Sequence, residues 1–175
     1  LLQTQRASAS AQRIFEVIDE EPTVVNSENA NPLLNVKGEI VFDNVHFSYP
    51  THKGNATRQT EEVLSGFNLT ISPGETVAIV GRTGSGKSTI SRLLNRFYDP
   101  TAGNIQVDGK DIKEVTLDSL RHQIGVVFDE PFLFSTSIGE NIAYSNPNAP
   151  LEEIAAAAEA AEASGFIEEL SDGYA

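Results

Sequence analysis

"GRTGSGKST" runs from Gly81 to Thr89 and satisfies the pattern G-x-x-x-x-G-K-[ST] through Gly81, Gly86, Lys87 and Ser88. Glycines leave the backbone N–H groups unshielded, so such a loop can fold around an anion. A helix beginning near Gly86 would add its positive dipole end at the same place. A glycine-rich turn with an exposed lysine would share these letters, so the flanks decide. Before the loop, "ETVAIVG" (75–81) is a short continuous apolar run, which predicts a strand buried on both faces. After it, Ile90, Leu93, Leu94 and Phe97 fall at i, i+3, i+4 and i+7, which predicts an amphipathic helix. Strand, loop and helix in that order predict a binding site for a nucleoside triphosphate. The backbone of Gly81, Arg82, Thr83, Gly84, Ser85 and Gly86 is expected to cradle the phosphates. Lys87 is expected to reach the β- and γ-phosphates, Ser88 to take a Mg²⁺ position and Thr89 to meet the α-phosphate.

Outward from the loop the chain reads as a mixed α/β domain. "GEIVFDNVHFSYP" alternates through Ile40 and Phe42, then Val45, Phe47 and Tyr49, a strand with a bulge near Asp43-Asn44. "THKGNATRQTEE" (51–62) reads as a polar loop, and "VLSGFNLTI" as another strand ended by Pro73-Gly74. Asp108-Gly109 between apolar residues signals a hairpin. "TLDSLRHQ" predicts a short helix, and "IGVVF" (124–128) a second buried strand. From Pro150 an alanine-rich stretch with glutamates in its first turn predicts a helix to about Ser164-Gly165, with a second turn of helix beyond. Residues 1–18 read as a helix and 19–35, polar with two prolines, as a linker.

Composition narrows the classes. The 175 residues include no cysteine, which excludes a disulfide framework or a thiolate metal site. The net charge is −13, and ten Asp or Glu but no Lys or Arg follow Arg121. Such an acidic balance repels phosphate backbones, so no nucleic-acid partner is expected. A chain that starts at Leu1 and holds no methionine is expected to be a piece of a longer protein.

Several stretches together resemble the nucleotide-binding domain of an ABC transporter, of the exporter type fused behind a transmembrane domain. They are "VFDNVHFSYP", "VLSGFNLTISPGETVAIVGRTGSGKSTISRLLNRFYDPTAGNIQVDGKDI", "LDSLRHQIGVVFDEPFLFSTSIGENIAY" and "FIEELSDGY". The resemblance covers about residues 36–175, with a helical subdomain beginning at about 135–150. Residues 5–22, "QRASASAQRIFEVIDEEP", resemble the cytosolic end of a last transmembrane helix, so 1–35 is expected to be a helix extension and linker. The implied fold is a P-loop NTPase (RecA-like) core with an antiparallel β subdomain and the start of a helical subdomain. The domain is expected to be incomplete, because no "LSGGQ" segment and no apolar run ending in Asp-Glu occur.

The resemblance also assigns roles. Tyr49 stands where the family stacks an aromatic ring on adenine; taken alone, it reads better as a core aromatic at a strand end. Val63 is expected beside the base. Asp129 replaces the family's usual glutamine, which ligates Mg²⁺ and helps place the attacking water. An aspartate still ligates or accepts from Mg²⁺-bound water, but ionised it donates no hydrogen bond. Phe132, Leu133 and Phe134 are expected to line a groove that receives a coupling helix of the transmembrane domain. The cofactors implied are ATP and Mg²⁺, with Lys87 and Asp129 as the catalytic contributions. The partners implied are a second nucleotide-binding domain and the transmembrane domain, at the cytoplasmic face of the cell membrane. The intact protein is expected to couple ATP hydrolysis to transport, whereas the isolated stretch is expected to be inactive. Asp129 leaves open a non-catalytic nucleotide-binding subunit of a heterodimer. A soluble ABC-family ATPase is opposed by the N-terminal helix and the acidic balance. A P-loop GTPase or kinase is opposed by the lack of an N-K-x-D stretch.

Overall fold

The computed structural model describes residues 11, 12, 14, 15, 18–53, 56–59, 61–127 and 132–175. It divides into two compact units, Leu1–Gly125 and Val126–Ala175. Among the described residues, no helix is long and apolar enough to cross a membrane. The helix expected at the N-terminus is present at residues 11, 12, 14, 15 and 18, where Ile14, Phe15 and Ile18 are exposed.

The first unit is built on a four-stranded antiparallel sheet. In chain order its elements are β1 (Ile40–Phe47), β2 (Pro50–Lys53), β3 (Ala56–Gln59), β4 (Leu64–Ile71), α1 (Lys87–Leu94), β5 (Ala102–Val107), β6 (Lys110–Asp111) and α2 (Leu117–His122). The large sheet runs β4-β1-β5-β6, and β2 pairs only with β3. Phe42 sits opposite Leu69 and Ile105, and Phe47 opposite Leu64. Between Phe42 and Val45 the register slips, because Asp43 and Asn44 form the expected bulge. The slip resets the alternation, so that Phe42, Val45 and Phe47 are all buried while Asn44 is not. Gly103 makes the bulge possible: at φ 77 it lies so close to the Asn44 carbonyl that a Cβ would collide with it.

One buried cluster joins β1, β4 and β5 to Ile90 and Leu93 of α1 and to Leu120 of α2. The apolar face of α1 therefore anchors the helix to the sheet, which fixes the loop at its other end. Phe97, expected on that face, is instead 45% exposed, with the Arg121 guanidinium 5.2 Å from its ring centre. Leu33 is also part of the core, at 1% exposure. The polar stretch around it is tied down by hydrogen bonds. Asn31 N–H donates to Glu114 O (3.0 Å), Leu33 N–H to Ser119 Oγ (2.8 Å), and Leu117 N–H to Asn26 Oδ1 (2.7 Å).

Three local expectations are corrected. Residues 75–80 form no strand, and Val77, Ile79 and Val80 are 37%, 41% and 89% exposed. Residues 124–127 form none either, with Val127 98% exposed. Their β-branched composition suits a sheet, but a strand exists only with a ladder partner, and the described residues supply none. The stretch 51–62, expected to be a loop, contains most of the β2–β3 hairpin, paired from Pro50 with Gln59 to Lys53 with Ala56. Its polar residues lack the apolar alternation that reveals a half-buried strand.

The β5–β6 turn carries a carboxylate clamp. Asp108, at φ 50, accepts from the backbone N–H groups of Lys37 (2.5 Å), Glu39 (2.9 Å) and Gly38 (3.1 Å). The Lys37 amide foremost holds its carboxyl below the usual aspartate range, against a desolvation that raises it. A depressed folded pKa stabilises the fold above the unfolded value, and that contribution disappears as pH falls through the folded value. Asp108→Asn is expected to cost about 0.5–1 kcal/mol at neutral pH, a figure discounted for the exposure of the group. The difference from the unmodified chain should shrink below about pH 3.9, the ordinary aspartate value, in urea melts taken across pH. A difference that is constant with pH would contradict the clamp.

The second unit is helical: α3 (Ile138–Ile142), a 3₁₀ turn (Ala143–Ser145), α4 (Leu151–Ala160) and α5 (Ser164–Glu168). The alanine-rich helix stops at Ala160, short of the expected Ser164-Gly165, where Glu162 takes φ 56. Ser137 and Glu140 form a reciprocal capping box at the start of α3.

Candidate functional site

The loop Gly81–Thr89 joins the extended segment 75–80 to α1. Ser85 N–H donates to Arg82 O at 3.1 Å, which closes a tight turn over Thr83 and Gly84. Gly84 has φ 84, and nothing lies within 4 Å of where its Cβ would be. This side of the turn is bare backbone open to an approaching group.

Gly86 is the N-cap of α1, at φ 90 and ψ 4, and has no side-chain cap. Residues that start a helix leave their first amides unpaired, and those amides carry the positive end of the helix dipole. Val63 and Leu64 wall Gly86 closely: a Cβ there would lie 2.9 Å from Leu64 Cδ2 and 3.3 Å from Val63 Cγ1. Val63 is itself fixed, its N–H donating to Phe47 O at 2.7 Å.

Lys87 crosses the loop, its Nζ donating to Gly81 O (2.7 Å) and Arg82 O (2.9 Å). The ammonium therefore sits among the loop carbonyls, next to the unpaired amides. Ser88 is exposed, whereas Thr89 is 4% exposed. The Thr89 hydroxyl, expected at the α-phosphate, meets the Tyr49 hydroxyl at 2.9 Å. Tyr49 is half-buried, its ring edge-on to Phe47 (centres 4.8 Å apart) and to Tyr98 (5.2 Å). It is thus both part of the core margin and a neighbour of the loop.

The fold accordingly gathers Tyr49, Val63 and Gly81–Thr89 in one place, although up to 40 residues separate them in the chain. Asp129 lies outside the described residues. Among the described residues no group of three or more His, Cys, Asp or Glu stands ready to hold a metal ion. The bare turn, the left-handed glycine at the helix start and the lysine across the mouth fit a polyphosphate tail. For Mg²⁺ the donor available is the exposed Ser88 hydroxyl. Sequence reasoning missed Arg92, which donates to the Tyr49 hydroxyl at 3.2 Å. The signal was its spacing: three residues after Thr89 on a helix, it shares a face with it.

In the second unit, Asn141 staples the segment 134–137. Its side chain accepts from Phe134 N–H (2.8 Å) and donates to Ser137 O (2.9 Å) and Phe134 O (3.1 Å). The staple presents Phe134 edge-on to Phe132 (4.9 Å) and stacked on Tyr144 (4.7 Å). Apolar grooves of about 450 and 430 Å³ lie on either side of Phe134 and Thr136. Phe132 and Leu133 are 76% and 74% exposed, and Leu133 lines the second groove.

Known proteins share this arrangement. The ABC transporter family model matches residues 64–174. ABC transporter B family member 21 of Arabidopsis thaliana is 46% identical over 166 residues, which is 94% of this chain and 12% of that protein. ABC transporter B family member 4 of Dictyostelium discoideum is 46% identical over 172 residues, 98% of this chain and 22% of that protein. A bacterial Atm1-family ABC exporter, solved with ATP bound, superposes with a TM-score of 0.82 at 40% identity, over 97% of this chain and 28% of its own. The chain thus spans a quarter or less of these two curated relatives. It belongs to the ABC transporter family, and its similarity is to the nucleotide-binding domain of exporter-type members.

Proposed function

We propose that this chain binds ATP, and that in the intact protein the site works in an ATPase that powers export across a membrane. The observation that carries the reading is the loop: Gly86 opens α1 in a left-handed conformation while Lys87 bridges Gly81 and Arg82. The unpaired amides and the ammonium attract the same anion, and a triphosphate offers the matching charge. Lys87 holds the outer phosphates, Ser88 and Asp129 hold Mg²⁺, and Thr89 together with Tyr49 and Val63 defines the end nearer the base. The metal, when bound, supplies charge neutralisation at the phosphates.

The partners in this reading are a second nucleotide-binding domain and the transmembrane domain, on the cytoplasmic side. The aromatic surface around Phe132 and Phe134 supports the latter, because exposed apolar patches mark docking sites. The acidic balance of the chain argues against nucleic acid.

Calorimetric titration with Mg-ATP, AMP and inorganic tripolyphosphate tests the site. ATP and tripolyphosphate should bind, with AMP weaker by at least about tenfold, the value of one lost charge-assisted contact or more. AMP binding as tightly as ATP, or no binding of any of the three, contradicts the reading.

A further inference from the structure

We propose that Arg92 is a positioning residue for nucleotide binding, holding the Tyr49 ring in place through its hydroxyl. This rests on the nucleotide-site reading above and deepens it. Arg92 Nη1 donates to Tyr49 Oη at 3.2 Å, and the guanidinium carbon lies 6.0 Å from the ring centre, at the limit of a cation–π contact. The same phenol oxygen meets Thr89 Oγ1 at 2.9 Å. Arg92 and Thr89 both belong to α1 and lie one turn apart. Two hydrogen bonds from one helix and two aromatic edges, Phe47 and Tyr98, therefore fix the ring from different directions.

The helix in question carries Lys87 and Ser88 in its first turn. A single rigid element thus sets both ends of the site: the phosphate end through its N-terminus, the base end through Arg92 and Tyr49. A base stacks best on a ring already oriented, because the ordering cost is then met before binding. Arg92 is exposed and contributes nothing to the buried cluster, so removing it should leave the fold intact.

The test compares Arg92→Met, Tyr49→Phe and the double variant by calorimetry at 0.15 M salt, with Mg-ATP and with inorganic tripolyphosphate. At that ionic strength an exposed guanidinium more than about 8 Å away is largely screened from the phosphates. Each single variant should weaken ATP by about three- to tenfold, the effect of one hydrogen bond, while tripolyphosphate changes less than about twofold. The double variant should be no weaker than the worse single one, because both changes remove the same contact. The proposal is overturned if Arg92→Met leaves ATP affinity unchanged, if ATP and tripolyphosphate fall together, or if the two losses add. Failure of the unmodified chain to bind either ligand would overturn the nucleotide-site reading itself, and this inference with it.

Discussion

Gly86→Val is expected to weaken Mg-ATP binding by well over about tenfold and to destabilise the first unit by about 2–4 kcal/mol. Two independent penalties act together. At φ 90 and ψ 4 the backbone is left-handed, a region that a β-branched residue scarcely enters. In addition, the new Cβ would lie 2.9 Å from Leu64 Cδ2, 3.3 Å from Val63 Cγ1 and 3.4 Å from the Val63 carbonyl. Leu64 is buried and the Val63 backbone is held to Phe47, so neither can yield freely. The start of α1 must shift instead, and the amides of Gly86–Ser88 then lose their common aim. Gly84→Ala is the control: its φ of 84 carries the conformational penalty, but its Cβ would meet open space. It should lose less stability and less affinity than Gly86→Val. Calorimetry and thermal melts of both variants check this, and equal losses would sink the packing argument.

Arg96→Met is expected to cost about 2–4 kcal/mol, the scale for stripping a buried charged donor from its acceptors. Arg96 is 4% exposed and holds φ 51 just beyond α1. Its guanidinium reaches Asp99 Oδ1 (2.9 Å), Val25 O (3.1 Å) and Ile112 O (3.3 Å). Its own carbonyl accepts from Arg121 Nη2 at 3.0 Å. Methionine fills much of the same volume, so the loss reports the hydrogen bonds rather than a cavity. Of the three acceptors, Val25 belongs to the segment leading back towards the N-terminus. Hydrogen exchange at residues 23–33 should therefore accelerate in the variant, alongside a lower urea midpoint. A midpoint change worth less than about 0.5 kcal/mol, the usual range of surface substitutions, would refute the clamp.

These two residues also show what a sequence conveys and what it withholds. Gly86 was legible, because the pattern that contains it carries a mechanism and demands glycine at a left-handed position. β1, β4 and the β5–β6 hairpin were legible from alternation and from Asp108-Gly109, and α1 and α4 from spacing and composition. Arg96 was not, because nothing local announces that three acceptors from residues 25, 99 and 112 converge on one guanidinium. Leu33 was hidden in the same way: one leucine in a polar stretch gives no period, yet it is fully buried. The runs 75–80 and 124–127 mislead in the opposite direction. Their side chains favour sheet, but the ladder belongs to a neighbour and not to the segment. At the site, the loop could be read from its residues alone. Tyr49 and Val63 joined it only through the family resemblance, since tertiary packing brings them to Thr89 and Gly86.

The central claim is that the amides and the ammonium of Gly81–Thr89 enclose a triphosphate tail. Its most direct test is the ligand titration followed by backbone amide resonances. With tripolyphosphate, the largest shifts should fall on Gly84–Thr89, and Tyr49 ring signals should move appreciably only with Mg-ATP. Stationary loop amides at saturating ligand, with the shifts gathered elsewhere in the chain, would contradict the account.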